Sequence, residues 1–255
     1  MIAAVIAIAM LIFAASPSFA AGTHEPIADA GEAPENPGAA LELMAQQKFG
    51  PALSAAERKL THFAPMRDVP WFGPSDSPDD PANDVAHAEK WGPERNVRAQ
   101  FVEWLLTNPR ASQLIHPSGL ALAAARITGN LDLSYDDIQR PLTLIHCYVP
   151  DGINLGSAQL PGITLRRSRT GAIFANGATI RGDTAFMTGD YGPVNLMRAR
   201  IDGTLDSTGS RILGAGEDSV NLVEASVSGD ALFQDGFTTD GIIYSRLAKI
   251  GHDLS

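Results

Sequence analysis

INLGSAQLPGITLRRSRTGAIFANGATI, residues 153–180, carries a period that neither a helix nor a long strand can supply. Positions 153, 158, 163, 168, 173 and 178 form one series with a step of five, and positions 155, 160, 165, 170, 175 and 180 form a second. Apart from Ser168 and Thr170, every member of the two series is apolar. The two-residue spacing inside each pair puts both side chains on one face of an extended segment. The five-residue recurrence then requires a corner after each segment. Four such sides make one coil with an apolar interior.

A longer repeat agrees. Ala-x-Ile/Val-x-Gly, with one degenerate copy, begins at Ala125, Ala178, Ala199, Ala225 and Ala248, the last four separated by 21, 26 and 23 residues. A period slightly above twenty is that of a solenoid whose coils stack by strand pairing. TGDYGP (188–193) and GAGEDS (214–219) read as insertions between copies. In ARITGNLDLS (125–134), Ala125, Ile127, Leu131 and Leu133 are expected to face inward, Arg126, Thr128, Asn130 and Asp132 outward, and Gly129 to relieve a corner. Residues 119–255 give roughly six coils, with a right-handed path favoured by sheet crossovers.

Residues 38–118 read as helical. One helix is expected over 39–48, and a second begins at Ser54, where Ser54-x-x-Glu57 makes a capping box. The stretch 64–84 is dense in Pro and Asp and therefore irregular. A third helix starts at Pro93, with Val97, Phe101, Trp104 and Leu105 at helical spacing, and stops at Asn108-Pro109. Its polar face carries Glu94, Arg95, Arg98 and Glu103. Phe101, Trp104 and Leu105 are the residues expected to cover the first coil. Of Trp71, Trp91 and Trp104, the last two are expected to pack the helices against that coil.

ALAAARITGNLDLSYDDIQRPLTLIHCYVPDGINLGSAQL (121–160), with WGPERNVRAQFVEWLL (91–106) before it, resembles the pentapeptide-repeat proteins, and among them a bacterial subgroup with a helical leader. The resemblance covers about residues 54–255. It implies a mainly β fold: a right-handed quadrilateral parallel β-helix with a small N-terminal helical cap.

The first twenty residues have no charged side chain, and Ser18-Phe19-Ala20 places small residues at the −3 and −1 positions of a cut. Residues 1–20 read as a signal peptide cleaved after Ala20, although no Lys or Arg precedes the apolar run, and 21–37 as a flexible leader. Export to the periplasm or medium is the implied location, with an N-terminal membrane anchor as the alternative. The single cysteine, Cys147, excludes an internal disulfide. The net charge of −10 disfavours nucleic acid or anionic membrane as partner.

Three candidate sites emerge. His146-Cys147 would face opposite ways on an extended chain, with Cys147 a buried small residue. Asp132, Asp136 and Asp137 could act as acid and base or bind calcium, but also read as corner residues. Arg166, Arg167 and Arg169 form the one basic cluster and could grip a partner's acids. No cofactor, zinc or nucleophile motif is present, GAGEDS lacking the context of a dinucleotide loop. The sequence therefore favours a non-catalytic envelope scaffold. The alternatives are a carbohydrate-active envelope enzyme using outward carboxylates and, were the signal peptide false, a cytosolic DNA mimic. The ending AKIGHDLS (248–255) begins another coil without supplying a cap. Self-association through that end, or a longer relative, is expected.

Overall fold

The computed structural model describes residues 36–214 and 218–255. The expected signal peptide and nearly all of the leader lie outside the described residues, as does the middle of GAGEDS. From Leu120 the chain winds into a mainly β parallel solenoid of about six coils with four sides. Side I stacks Leu120–Ala123, Leu142–Ile145, Ile163–Arg166, Thr184–Met187, Leu205–Asp206 and Ala231–Leu232. Side II stacks Asn96–Arg98, Arg126–Thr128, Tyr148–Val149, Arg169–Thr170, Asp190–Tyr191, Arg211–Ile212 and Thr238–Thr239. Side III stacks Leu131–Asp132, Ile153–Asn154, Ile173–Phe174, Val194–Asn195, Asp218–Asn221 and Ile242–Tyr244. Side IV stacks Gln159–Leu160, Thr179–Ile180, Arg200–Ile201, Ser226–Val227 and Lys249–Ile250.

Every position of the two five-residue series between 153 and 180 is buried, as are Ala125, Ile127, Leu131 and Leu133. Each inward Leu or Ile contributes about 1.5–3 kcal/mol by leaving water. Strands this short survive because neighbours in register pair them on both sides, as Ile173 is paired between Ile153 and Val194.

The corners explain the Ala-x-Ile motif. Ala124, His146, Arg167, Thr188, Gly209 and Asp235 end side I, and Tyr135, Ser157, Gly177, Arg198, Glu224 and Leu247 end side III, all at φ between +48 and +68. Among the described residues, every non-glycine with positive φ belongs to these two columns. A left-handed residue costs about 1 kcal/mol or more when it carries a side chain. It also turns the chain sharply, and its N–H still reaches the next coil, as from His146 to the Arg166 carbonyl at 2.9 Å. The residue that follows points inward at the bend and is usually small: Ala125, Cys147, Ser168 and Ser210 in one column, Ala158, Ala178, Ala199 and Ala225 in the other, all buried. The copy at Ala125 therefore begins on side II, whereas the copies at Ala178, Ala199, Ala225 and Ala248 begin on side IV.

TGDYGP is not an insertion. It builds a corner and the strand Asp190–Tyr191, with Tyr191 buried and its single hydroxyl proton shared between the carbonyls of Leu165 and Met187, each 3.0 Å away. The register between Val194 and Val220 spans the GAGEDS segment instead.

Four α-helices precede the solenoid among the described residues: α1 (Pro37–Phe49), α2 (Ala55–Phe63), α3 (Ala99–Thr107) and α4 (Pro109–Leu114). Two expectations are corrected. Val97 is not helical; Asn96–Arg98 is a strand paired in parallel with Arg126–Thr128, because the first strand of side II leaves an unpaired edge. Asn108-Pro109 ends α3 but also starts α4, with the Asn108 side chain accepting from the N–H groups of Arg110 and Ala111. The segment from Gly73 to Gly92 forms a strap of short 3-10 turns, two of them capped by Asp80 and Asp84.

Candidate functional site

The three arginines do not form one patch. Arg166 is exposed on side I. Arg167 occupies a corner and meets Asp79 of the strap at 3.6 Å. Arg169, on side II, pairs with Glu89 of the strap at 2.7 Å and lies 5.5 Å from the Tyr148 ring, as Arg126 does. Two of the three arginines thus grip acids of their own chain.

The three aspartates separate likewise. Asp137 pairs with Arg181 at 2.9 Å. Asp132 accepts from the N–H and hydroxyl of Ser134, while its own N–H donates to Glu103 at 2.8 Å. The Ser134 hydroxyl and N–H hold the Asp132 carboxyl below its ordinary range. Asp136 fills the inward corner position held by alanine in later coils, and burial, then the Asp132 charge, raises its pKa. Glu103 is raised mainly by burial, against the Asp132 N–H, with the charges of Asp132 and Asp136 adding. Sequence reasoning placed Glu103 on a solvated helix face and missed this contact. Opposed shifts are what an acid–base pair needs, yet such a pair also needs a substrate between its members. Here α3 is packed against the first strand of side III, with Glu103 on the Asp132 N–H. Among the described residues no three His, Cys, Asp or Glu side chains are arranged to hold a metal.

Cys147 is fully buried, its thiol pushed up to about 12 by desolvation. His146 does not face it, but for a reason other than strand alternation: His146 stands in the left-handed corner, at φ +49, where the chain is not extended. Its ring lies 5.8 Å from that of Trp71, beside a cleft of about 500 Å³ bounded by Pro78, Asp84, Arg167 and Thr188. Burial lowers its pKa, the Asn83 backbone opposing and Arg167 assisting.

At the N-terminal end of the solenoid, three of the four sides receive a partner from the preceding segments. On side I, the N–H of Phe72 donates to the Ala123 carbonyl at 2.8 Å, and the N–H of Ala123 to the Pro70 carbonyl at 2.9 Å. On side II, Asn96–Arg98 is added as a strand. On side III, Glu103 takes the Asp132 N–H. Phe101, Trp104 and Leu105 of α3 are buried as expected, with Phe49 of α1 at 5.4 and 5.7 Å from the two rings. Trp91 packs on Arg95, 4.5 Å away, and Arg95 is itself buried rather than solvated. Glu57 fastens the cap. It completes the Ser54 capping box and receives Arg98 through Nε at 2.6 Å and Nη2 at 2.9 Å. Burial raises its carboxyl, but Arg98 and the Ser54 N–H outweigh this and hold it below the ordinary glutamate value.

The opposite end differs. Thr238–Thr239, Ile242–Tyr244 and Lys249–Ile250 are the terminal strands of sides II, III and IV. Ile243 stacks on buried Val220, and Leu254 bridges to buried Ala231, yet they are 39% and 61% exposed. Ile242 and Leu247 are exposed beside them, and Phe233 and Phe237 are partly so. The core is thus open in cross-section, ringed by exposed Asp235, Asp240, Arg246, Lys249 and Asp253. This end face and the strap-covered corner are the surfaces that the geometry singles out. No protein-family model, curated protein or solved structure matches this chain.

Proposed function

We propose that this protein is a non-catalytic interaction scaffold of the bacterial cell envelope, built on a pentapeptide-repeat type of β-helix and exported by the signal peptide read at residues 1–20. One observation carries the scaffold reading: among the described residues, Ile243, Leu254 and the last strand edges of sides II, III and IV face solvent. Apolar surface joined to open strand edges is a template for association. The occupant is a second copy of the chain. The exposed charges of the last coil are of both signs, Asp235, Asp240 and Asp253 with Arg246 and Lys249, which suits a self-complementary pairing of two copies. The resemblance in sequence, the residues before Ala20 and the absence of a catalytic motif support the envelope and non-catalytic parts.

Sedimentation equilibrium tests the association. The wild-type chain is expected as a dimer at micromolar concentration, and Ile243→Asp with Leu254→Asp as a folded monomer. A wild-type monomer across that range overturns the reading. Fractionation of cells expressing the full chain tests the location, with recovery in the cytoplasm as the contrary result.

A further inference from the structure

On side III the outward residue of four of the six strands has the same task. Asp132, Asn154, Asn195 and Asn221 each accept, through Oδ1, the N–H two residues ahead, at 3.0 Å in every case. This ties down the turn into the left-handed corner. Phe174 and Tyr244 stand in the same column; Phe174 is paired between Asn154 and Asn195 and is 47% exposed, and Tyr244 is paired with Asn221 in the last coil and is 40% exposed. A phenylalanine cannot accept that bond, so the third coil forgoes a turn contact and shows water an apolar ring. Tyr135 departs from the pattern in a second way. It occupies a left-handed corner at φ +62, an unfavourable place for a bulky aromatic, and is 84% exposed. Both residues line one open depression of about 540 Å³, together with Ser134, Asp151, Asn154 and Asn176. Residues set against the local demands of a fold mark sites kept for another purpose.

We propose that this depression binds a neutral, extended, β-linked oligosaccharide, with sugar rings stacked on Tyr135 and Phe174. The C–H face of a pyranose is weakly positive and complements the negative face of an aromatic ring. The side-chain amides and the Ser134 hydroxyl offer both donors and acceptors, as sugar hydroxyls require. No basic residue lines the depression and Asp151 does, which disfavours a polyanion. The spacing fits as well. Tyr135 belongs to the first coil and Phe174 to the third, so the rings are offset by two strand spacings, about 10 Å along the axis. In an extended β-linked chain, alternate sugars present the same face, so the two rings would meet sugars two units apart. The ligand runs parallel to the solenoid axis, on a side that end-to-end association leaves open.

Calorimetric titration of the full chain with cellohexaose, chitohexaose and mannohexaose, and with hexagalacturonate as the polyanion, tests this. At least one neutral hexasaccharide is expected to bind, and more tightly than the polyanion. Tyr135→Gly removes one ring while relieving the corner, and Phe174→Asn removes the other while restoring the turn acceptor. Each is expected to weaken binding about tenfold or more while melting at or above the wild-type temperature, which separates loss of the rings from loss of the fold. Unchanged affinity in both variants, preference for the polyanion, or no binding of any neutral hexasaccharide at millimolar concentration overturns the proposal.

Discussion

The first and last coils described differ in how their strand edges and inward residues are covered. A stacked coil satisfies its neighbours, but the first and last coils each leave strand edges and a slice of core unsatisfied. At the start, the chain spends four devices on closure: the Pro70–Phe72 pairing, the strand Asn96–Arg98, the Glu103 acceptor and the aromatic face of α3. At the other end the same inward positions, Ile243 and Leu254, stay in contact with water. At the first coil, closure comes from non-repeating sequence, from Pro70 to α3, and not from the repeat itself.

The largest losses are expected where α3 covers the first coil. Phe101→Ala is expected to cost about 3–5 kcal/mol in chemical denaturation, whereas Ile243→Ala, at a residue 39% exposed, should cost well under half of that. Equal costs would mean that the ends do not differ in packing. Next comes the fastening of the cap. Arg98→Ala leaves the Glu57 carboxylate without its counter-ion and should cost about 2–3 kcal/mol, less than a fully buried pair because the Arg98 side chain is 42% exposed.

Acid probes the same end with two opposite signs. The Glu57 pKa is depressed by folding, so its contribution is present above pH about 4.5 and is lost as pH falls through the folded value. The Glu103 pKa is raised, so its contribution is complete below pH about 4.5 and is lost as pH rises through the folded value. Glu103→Gln should therefore raise the melting temperature at neutral pH, with the gain vanishing near pH 4. Glu57→Gln should lower it at neutral pH and approach wild type in acid. Identical pH profiles for the two variants would contradict this account of the cap. The smallest effect belongs to the outward faces between the ends. Asp202→Lys, on side IV beside Arg200, should shift stability by less than about 0.5 kcal/mol.

What the sequence made legible is what repeats. The five-residue step named the inward residues from 153 to 180, and the capping box and the Phe101, Trp104 and Leu105 cluster gave the cap. What escaped is non-local. Val97 lies four residues before Phe101, a helical interval, and only its pairing with Ile127 makes it a strand. The partner of Arg169 is Glu89, eighty residues earlier, and that of Asp132 is Glu103, twenty-nine earlier. No local pattern announces such contacts. Tyr135 and Phe174 look like ordinary residues until the coils are aligned, when Tyr135 falls at a left-handed corner and Phe174 between two asparagines that accept a turn bond.

Cys147 has a use that follows from its place alone. It is the only thiol in the chain, fully buried, and lies in the second coil, its thiol donating to the Leu122 carbonyl of the coil that meets the cap. A thiol reagent can reach it only when that coil parts from its neighbours. Labelling rates would therefore time the opening of the sealed end, while fraying at the far end went unrecorded.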